Sequence, residues 1–148
     1  ADITWVGYTG PTPPSDVAAA FGAIARARDA AIALVQRAVA EGRDVRGFEL
    51  DRAARTVLQD AGFGTAILHR TGHSLGEEVH GNGAHLDDYE THDDRRILPG
   101  AGFTIEPGIY TKSFGVRTEI NMVVGASQAT VTGPCQSELV RMSGVKHV

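Results

Sequence analysis

Cysteine is nearly absent from this sequence, since Cys135 is the only one among 148 residues. A single cysteine excludes an internal disulfide framework and fits a reducing compartment, so we expect a cytoplasmic protein. The common zinc signatures are missing as well, because the chain contains no CxxC and no HExxH. A closed structural zinc site built on several cysteines is therefore not expected.

Long apolar runs and blocks of like charge are also missing. Since no stretch reaches 18 apolar residues, no transmembrane helix is predicted. The formal net charge is −4 without a run of five or six like charges, which gives no electrostatic reason to expect nucleic acid or an anionic membrane as a partner. The 42% hydrophobic and 22% charged residues are typical of a globular domain, and 148 residues suffice for one packed core.

Hydrophobic periodicity predicts two helices followed by several strands. The first helix is expected from Asp16 to Glu41 with Ser15 as its N-cap, and the second from about Phe48 to Ala61. Strands are predicted at 2–8, 102–110, 116–124, 129–133 and 137–142. This order is typical of an α+β fold with both helices on one face of a mostly antiparallel sheet.

Two glutamates interrupt the predicted strands in apolar surroundings. Glu106 lies within GFTIEPGIY and Glu119 within VRTEINMVV, where Arg117 shares its face of the strand. A carboxylate inside a strand is costly if it is buried alone, so each must be exposed, paired or bound to a metal. Taken singly, either glutamate fits an exposed or ion-paired side chain. The histidine-rich segment that precedes both favours a metal site.

Five of the six histidines fall between residues 69 and 92. His69 and His73 would lie on the same side of a strand because their spacing is even. A lone histidine is more often a satisfied polar residue than a ligand, and this interpretation is kept for His85, His92 and His147. An oxygen-rich site with one imidazole, such as His73 in this acidic context, suits Mn²⁺, Co²⁺ or Fe²⁺.

Three motifs in order carry a resemblance to a known family: HRTGHSLGEEVHG (69–81), LPGAGFTIEPGIY (98–110) and FGVRTEINMVV (114–124). Together they resemble the metallopeptidases of the pita-bread fold, and most of all the Xaa-Pro dipeptidase and Xaa-Pro aminopeptidase branch. The resemblance covers nearly the whole chain, because ADITWVGYTG is similar to a strand of that family and the two helices fall where it has a helix pair. It implies a curved, mostly antiparallel sheet with two helices on one face.

The resemblance also implies a dinuclear metal site. The expected cofactors are two divalent ions, with Mn²⁺ preferred and Co²⁺, Zn²⁺ or Fe²⁺ as alternatives. Four of the five family ligands have counterparts here: Asp2, His73, Glu106 and Glu119.

Further roles follow from the same motif matches. His80 resembles the catalytic histidine that bonds the substrate near the scissile bond, and His69 resembles a histidine lining the substrate pocket. Arg117 resembles an arginine that orients the neighbouring glutamate and contacts substrate. Glu106 would serve both as ligand and as proton acceptor.

The implied activity is hydrolysis of Xaa-Pro bonds in short proline-containing peptides by a metal-bound hydroxide, by a protein expected to form a homo-oligomer. Two features depart from the family: its first aspartate ligand has no counterpart before Asp2, and Trp5 stands where an arginine is common. We therefore expect residues 1–148 to be the C-terminal portion of a pita-bread catalytic domain, without its N-terminal half or N-terminal domain, and to be inactive as an isolated fragment.

Two other functions stay open on the same fold. One is hydrolysis of a non-peptide amide, as in the creatinase-like relatives. The other is a non-catalytic interaction module that has lost the reaction. Retention of His73, Glu106 and Glu119 argues against the metal-free version of the first and against the second.

Overall fold

Two helices form one layer of the structure, a computed structural model that describes residues 1–142. Helix α1 spans Ser15–Ala40 and helix α2 spans Gly47–Asp60, and they pack against each other. The buried stripe of α1 is rich in alanine, which lets the neighbouring elements approach closely. The chain leaves α1 through Gly42, whose φ of 64° lies in the left-handed region that glycine adopts without strain.

The predicted cap of α1 was wrong. Ser15 is the first helical residue, while Pro14 holds the N-cap position and provides no side-chain cap. Proline is compatible with this place because its fixed φ suits the extended backbone that enters the helix. Both predicted helices are otherwise confirmed to within one residue at each end.

In the part of the chain that the structure describes, eight short strands make up the second layer. They are β1 (Gly7–Tyr8), β2 (Ser74–Leu75), β3 (Gly102–Ile105), β4 (Gly108–Tyr110), β5 (Gly115–Arg117), β6 (Ile120–Val124), β7 (Ala129–Val131) and β8 (Val140–Arg141). The main sheet is antiparallel in the order β2-β3-β6-β7. Strands β4 and β5 form an antiparallel pair, and β1 and β8 form a parallel one. The mostly antiparallel α+β architecture is thus confirmed.

The two long strands predicted at 102–110 and 116–124 are each broken in two. The first is interrupted at Glu106 and Pro107, where proline offers no N–H for a ladder. The second is interrupted at Thr118 and Glu119, between β5 and β6. These two breaks face each other, because Ile105 pairs with Ile120 on one side and Gly108 with Arg117 on the other.

The predicted N-terminal strand at 2–8 is also shorter than expected. Only β1 belongs to it, together with an isolated bridge between Thr4 and Glu119. The strands expected at 129–133 and 137–142 are present as β7 and β8, and His147 lies outside the described residues.

The core lies between α1 and the strands, where Phe103, Ile105, Ile109 and Ile120 are almost completely buried. Burial of apolar side chains of this size supplies about 1.5–3 kcal/mol each, so this layer holds the broken strands in place. Within residues 1–142, neither helix combines the length and the apolar character needed to cross a bilayer.

Candidate metal centre

Polar side chains from four separate segments meet beside the two facing strand breaks. Asp2 comes from the N-terminal segment, His73 precedes β2, Glu106 follows β3, and Glu119 precedes β6. Backbone hydrogen bonds hold these segments together. The N–H of Thr104 donates to the carbonyl of His73 at 2.8 Å, and that of Glu119 donates to the carbonyl of Thr4 at 3.0 Å.

The distances between these side chains are short. Nε2 of His73 lies 3.4 Å from Oε1 of Glu106 and 3.7 Å from Oδ2 of Asp2. One ligand atom each of Asp2, His73 and Glu119 falls within 4.8 Å of the others. Glu106 lies next to His73 but is not part of this set of three. The structure thus brings together all four residues that the sequence motifs single out.

The imidazole of His73 has a defined tautomer when it is neutral. Its Nδ1 lies 3.1 Å from the carbonyl oxygen of Ser74, which can only accept, so Nδ1 carries the hydrogen. The lone pair of Nε2 then points at the carboxylates of Glu106 and Asp2. A cation between these acceptors removes their repulsion, and mixed carboxylate and imidazole donors suit Mn²⁺, Fe²⁺, Co²⁺ and Zn²⁺. The residues present therefore fit a divalent metal.

The protein alone leaves an excess of negative charge at this position. Burial, and then the nearby carboxylate of Glu119, raise the pKa of Glu106 to about 7, although Arg117 and the Thr104 hydroxyl act in the opposite direction. Of the three carboxylates in the cluster, Glu106 and Glu119 share the one guanidinium of Arg117. A bound cation would stabilise the ionised form of Glu106.

Arg117 links the two glutamates. Its Nη1 lies 3.5 Å from Oε2 of Glu106, and its Nη2 lies 4.0 Å from Oε2 of Glu119. Nη2 also donates to Oγ1 of Thr4 at 3.2 Å, and that hydroxyl donates to Oε2 of Glu119 at 2.5 Å. Within residues 1–142, the buried Nε of Arg117 has no hydrogen-bond partner. Arg117 is therefore placed to orient both carboxylates while keeping one donor free.

His80 contacts His73 of this cluster, and His69 lies against Tyr110 and Gly108. The ring of His80 is exposed and stands edge-on to the ring of His73, with 4.2 Å between centroids. His69 donates from Nδ1 to the carbonyl of Arg70, so its Nε2 accepts from the Tyr110 hydroxyl at 2.9 Å. His80 is thus accessible from solvent, whereas His69 is fixed by its partners.

Tyr110 and Thr104 are site residues that the sequence reasoning missed. Alternation along the strand places Tyr110 on the same face as Glu106, a signal that was available. Gly108 lies between them, and a Cβ there would come within 2.8 Å of both His69 and Tyr110. Thr104 is fully buried, accepts from the His73 N–H at 2.9 Å and donates to Glu106 at 3.2 Å.

His85 and His92 lie in the loop after the cluster and have partners there. Nδ1 of His85 accepts from the backbone N–H of Ser74 at 3.0 Å. His92 pairs with Asp88 at 2.6 Å and its ring lies against Phe48. Both rings thus have hydrogen-bond partners other than the four clustered side chains, in line with their interpretation as satisfied polar residues.

Solved structures establish the fold at this point. The crystal structure of dipeptidase PepE from Mycobacterium ulcerans matches 97% of this chain and 36% of that chain, with a TM-score of 0.83 and 32% sequence identity. A recombinant prolidase from Thermococcus sibiricus matches with a TM-score of 0.82 and 27% identity over 96% of this chain and 36% of that chain. The pita-bread fold predicted from the motifs is confirmed.

Sequence comparison then defines the family. The signature of metallopeptidase family M24 matches residues 1–126, and the chain belongs to this family. The probable dipeptidase PepE of Mycobacterium tuberculosis is 34% identical over 129 residues, which are 86% of this chain and 32% of that protein. An Xaa-Pro dipeptidase of Lactobacillus delbrueckii is 43% identical over 72 residues, 48% of this chain and 18% of the relative. The chain spans about a third of the length of the first of these curated relatives.

Proposed function

We propose that this chain contributes the metal centre of a peptidase that cleaves Xaa-Pro bonds in short peptides. The observation that carries the proposal is the convergence of Asp2, His73 and Glu119 within 4.8 Å, with Glu106 beside His73. The names of the relatives, dipeptidase and Xaa-Pro dipeptidase, support the substrate class. We further propose that residues 1–148 correspond to the C-terminal portion of a pita-bread catalytic domain.

Asp2, His73, Glu106 and Glu119 would hold the metal in a dinuclear centre, with Mn²⁺ as the first choice. Divalent ions supply Lewis acidity toward an amide carbonyl and a water made acidic enough to attack at neutral pH. The strand ends that carry the two glutamates are backed by ladders, which suits ligands that must keep a fixed separation.

Three side chains would orient ligands, accept a proton or donate a hydrogen bond around the scissile amide. Glu106 would take up a proton during the reaction, while Thr104 and Arg117 hold its two oxygens in position. Arg117 would keep both glutamates aligned and contact the peptide through the exposed part of its side chain. His80, exposed beside His73, would donate a hydrogen bond near the scissile bond.

The wall formed by His69 and Tyr110 would line the substrate pocket. The close packing of both rings around Gly108 leaves no room for a larger side chain there. This gives the pocket a rigid aromatic side, which suits an apolar pyrrolidine ring. The cytoplasmic location and the homo-oligomer remain predictions from the sequence, as does the choice of manganese.

Metal retention tests the proposal most directly. The purified chain is loaded with Mn²⁺, desalted and analysed for metal content, together with His73→Ala and His92→Ala. We expect near-stoichiometric metal in the unmodified chain, called the parent below, and a loss of metal in His73→Ala. His92→Ala should keep its metal, since His92 pairs with Asp88. Equal metal content in all three proteins, or none in the parent, would contradict the proposed site.

A peptide panel addresses the substrate class. If the metal-loaded chain or a longer protein that contains it is active, Xaa-Pro dipeptides should be cleaved faster than dipeptides lacking proline. Preference for a non-peptide amide would favour the creatinase-like alternative. Retained metal without any hydrolysis by the longer protein would favour the interaction module.

A further inference from the structure

Ser74 is the first residue of β2, which lies at the edge of the main sheet. Its backbone N–H donates to Nδ1 of His85, eleven residues further along the chain, at 3.0 Å. Ser74 is buried, so without His85 this N–H would lack both a ladder partner and water. Since a backbone N–H only donates, Nδ1 of His85 must be unprotonated.

The carbonyl of the same residue meets a second histidine. It accepts from Nδ1 of His73 at 3.1 Å and from the N–H of Gly81 at 2.7 Å. Ser74 therefore separates two imidazoles of opposite tautomer: His85 has a bare Nδ1, and neutral His73 carries a hydrogen there. The bare Nε2 of His73, which faces Asp2 and Glu106, follows from this arrangement.

The loop holds His85 in place from two directions. The N–H of His85 donates to Oδ2 of Asp93 at 2.8 Å, and Asp93 is in turn bound by Arg95. Gly83, two residues before His85, donates to Oγ of Ser74 at 3.0 Å. The segment that carries His85 is thus attached to Ser74 at both the side chain and the backbone.

The surroundings of His85 favour its neutral form. Burial lowers its pKa, and the charges of Arg70 and Arg95 act in the same direction, as does His73, whereas Asp93 acts against them. A neutral ring is what the bare Nδ1 requires.

We propose that His85 is a positioning residue for His73. By accepting the Ser74 N–H, His85 holds the Ser74 carbonyl where it fixes the tautomer and the direction of the His73 imidazole. The inference rests on the proposed function, because it takes His73 as a ligand of the metal. It assigns a role to the loop histidine that the sequence pattern left as an ordinary polar residue.

Three substitutions separate positioning from mere packing. In His85→Asn, Oδ1 stands three bonds from Cα, as Nδ1 does in histidine, so the acceptor for Ser74 is kept. His85→Gln carries the same amide with its acceptor one bond further out, and His85→Leu has no acceptor. Circular dichroism and thermal unfolding check whether each variant is folded. If His85→Leu does not fold, His85→Asn is compared with His85→Gln instead.

Calorimetric titration with Mn²⁺ alone is the readout for all proteins. Loss of a partner that orients a metal ligand typically weakens affinity 10- to 100-fold, so we expect His85→Gln and His85→Leu to bind at least about tenfold more weakly than the parent, and His85→Asn within about threefold of it. Affinities of all three variants within about threefold of the parent would overturn the inference while leaving the metal centre intact. Absence of Mn²⁺ binding by the parent would overturn the proposed function and the inference with it.

A second readout does not depend on metal. Long-range ¹H–¹⁵N correlation spectra of the parent, labelled at histidine, report which ring nitrogen carries the hydrogen. We expect an unprotonated Nδ1 for His85 and a protonated Nδ1 for His73, with the His73 pattern kept in His85→Asn and averaged over both tautomers in His85→Leu. A His85 ring protonated at Nδ1 in the parent would overturn the inference whatever the variants bind.

Discussion

The backbone N–H of Glu106 donates to the carbonyl oxygen of Thr71 at 2.7 Å. This bond lies just beyond the point where β3 ends, so it continues the contact between the two segments after the ladder stops. Since Thr71 stands two residues before His73, the bond fixes the separation of the imidazole and the carboxylate through the main chain. The side chains of the candidate centre therefore meet by virtue of backbone geometry rather than by mutual attraction, which their like charges would oppose.

Replacing Thr104 by valine tests the hydroxyl that joins His73 to Glu106. The substitution keeps the shape and leaves the buried N–H of His73 without an acceptor, which costs about 1–3 kcal/mol of unfolding free energy. Thr104→Ser keeps the hydroxyl and serves as the matched control, with an expected loss below about 1.5 kcal/mol. Urea unfolding of both variants measures the difference. Equal stability of the two would show that this hydroxyl does not hold the His73 backbone.

Gly72→Ala tests how closely the segment before β2 approaches β3. An added Cβ would lie 2.1 Å from the carbonyl oxygen of Thr104, so the two segments must separate. We expect a loss of about 3 kcal/mol or more in unfolding free energy, together with weaker Mn²⁺ binding. Gly102→Ala is the control, because a Cβ there meets its nearest neighbours at 3.8 Å. Its cost should stay near the roughly 1 kcal/mol typical of an ordinary mutation, and a similar cost for both would contradict the tight approach.

Asp93 should make the stability of the loop that carries His85 depend on pH in the acid range. Burial alone would raise its pKa, but the Arg95 side chain and the N–H groups of His85 and Arg95 outweigh burial and hold the pKa at about 2. Because the folded pKa lies below the ordinary value of 3.8, the ionised carboxylate stabilises the fold above about pH 4, and this stabilisation is lost as the pH falls toward 2.

The measurement is urea unfolding of the parent and Asp93→Asn at pH 7 and at acid pH. At pH 7 the variant should be less stable by about 2 kcal/mol, and the gap should narrow between pH 4 and pH 2. Asp44→Asn, which removes an exposed partner of Arg96, should cost less than about 1 kcal/mol. A gap for Asp93→Asn that stays constant down to pH 2 would show that its carboxylate has an ordinary pKa.

Gln136 should stabilise the N-terminal segment that carries Asp2. Its buried amide accepts from the Val6 N–H at 2.8 Å and donates to the Val6 carbonyl at 2.6 Å, which extends the β1–β8 pair by a side chain. Gln136→Leu should cost about 2–3 kcal/mol and speed hydrogen–deuterium exchange in residues 2–8. Gln128→Leu, at an exposed turn, is the control and should leave that exchange unchanged. Unaltered exchange in Gln136→Leu would mean that the segment is held by other contacts.

Much of the fold could be predicted from periodicity, because both helices have an apolar stripe and the main strands carry apolar side chains at alternate positions. The breaks within the two long predicted strands could not be predicted in this way. Alternation continues through Glu106 and Glu119, and neither residue signals that the ladder stops there; only Pro107 gives a local reason for one of the breaks.

The candidate site could be predicted from the sequence motifs, and less completely from hydrophobic periodicity and charge alone. His73 and the two glutamates belong to short segments with recognisable neighbours. Thr104 and His85 act through hydrogen bonds to backbone groups 31 and 11 residues away. Such contacts have no period along the chain, so only the folded arrangement shows them.

The facing breaks at 106–107 and 118–119 restrict how the length of this region can vary. Ladders on both sides fix the register, and a one-residue insertion in either strand would turn every following side chain to the opposite face. The turn at 111–114, beyond the β4–β5 pair, is free of that constraint. Insertions and deletions in homologous proteins should therefore concentrate in this turn, where the chain can lengthen without displacing either glutamate.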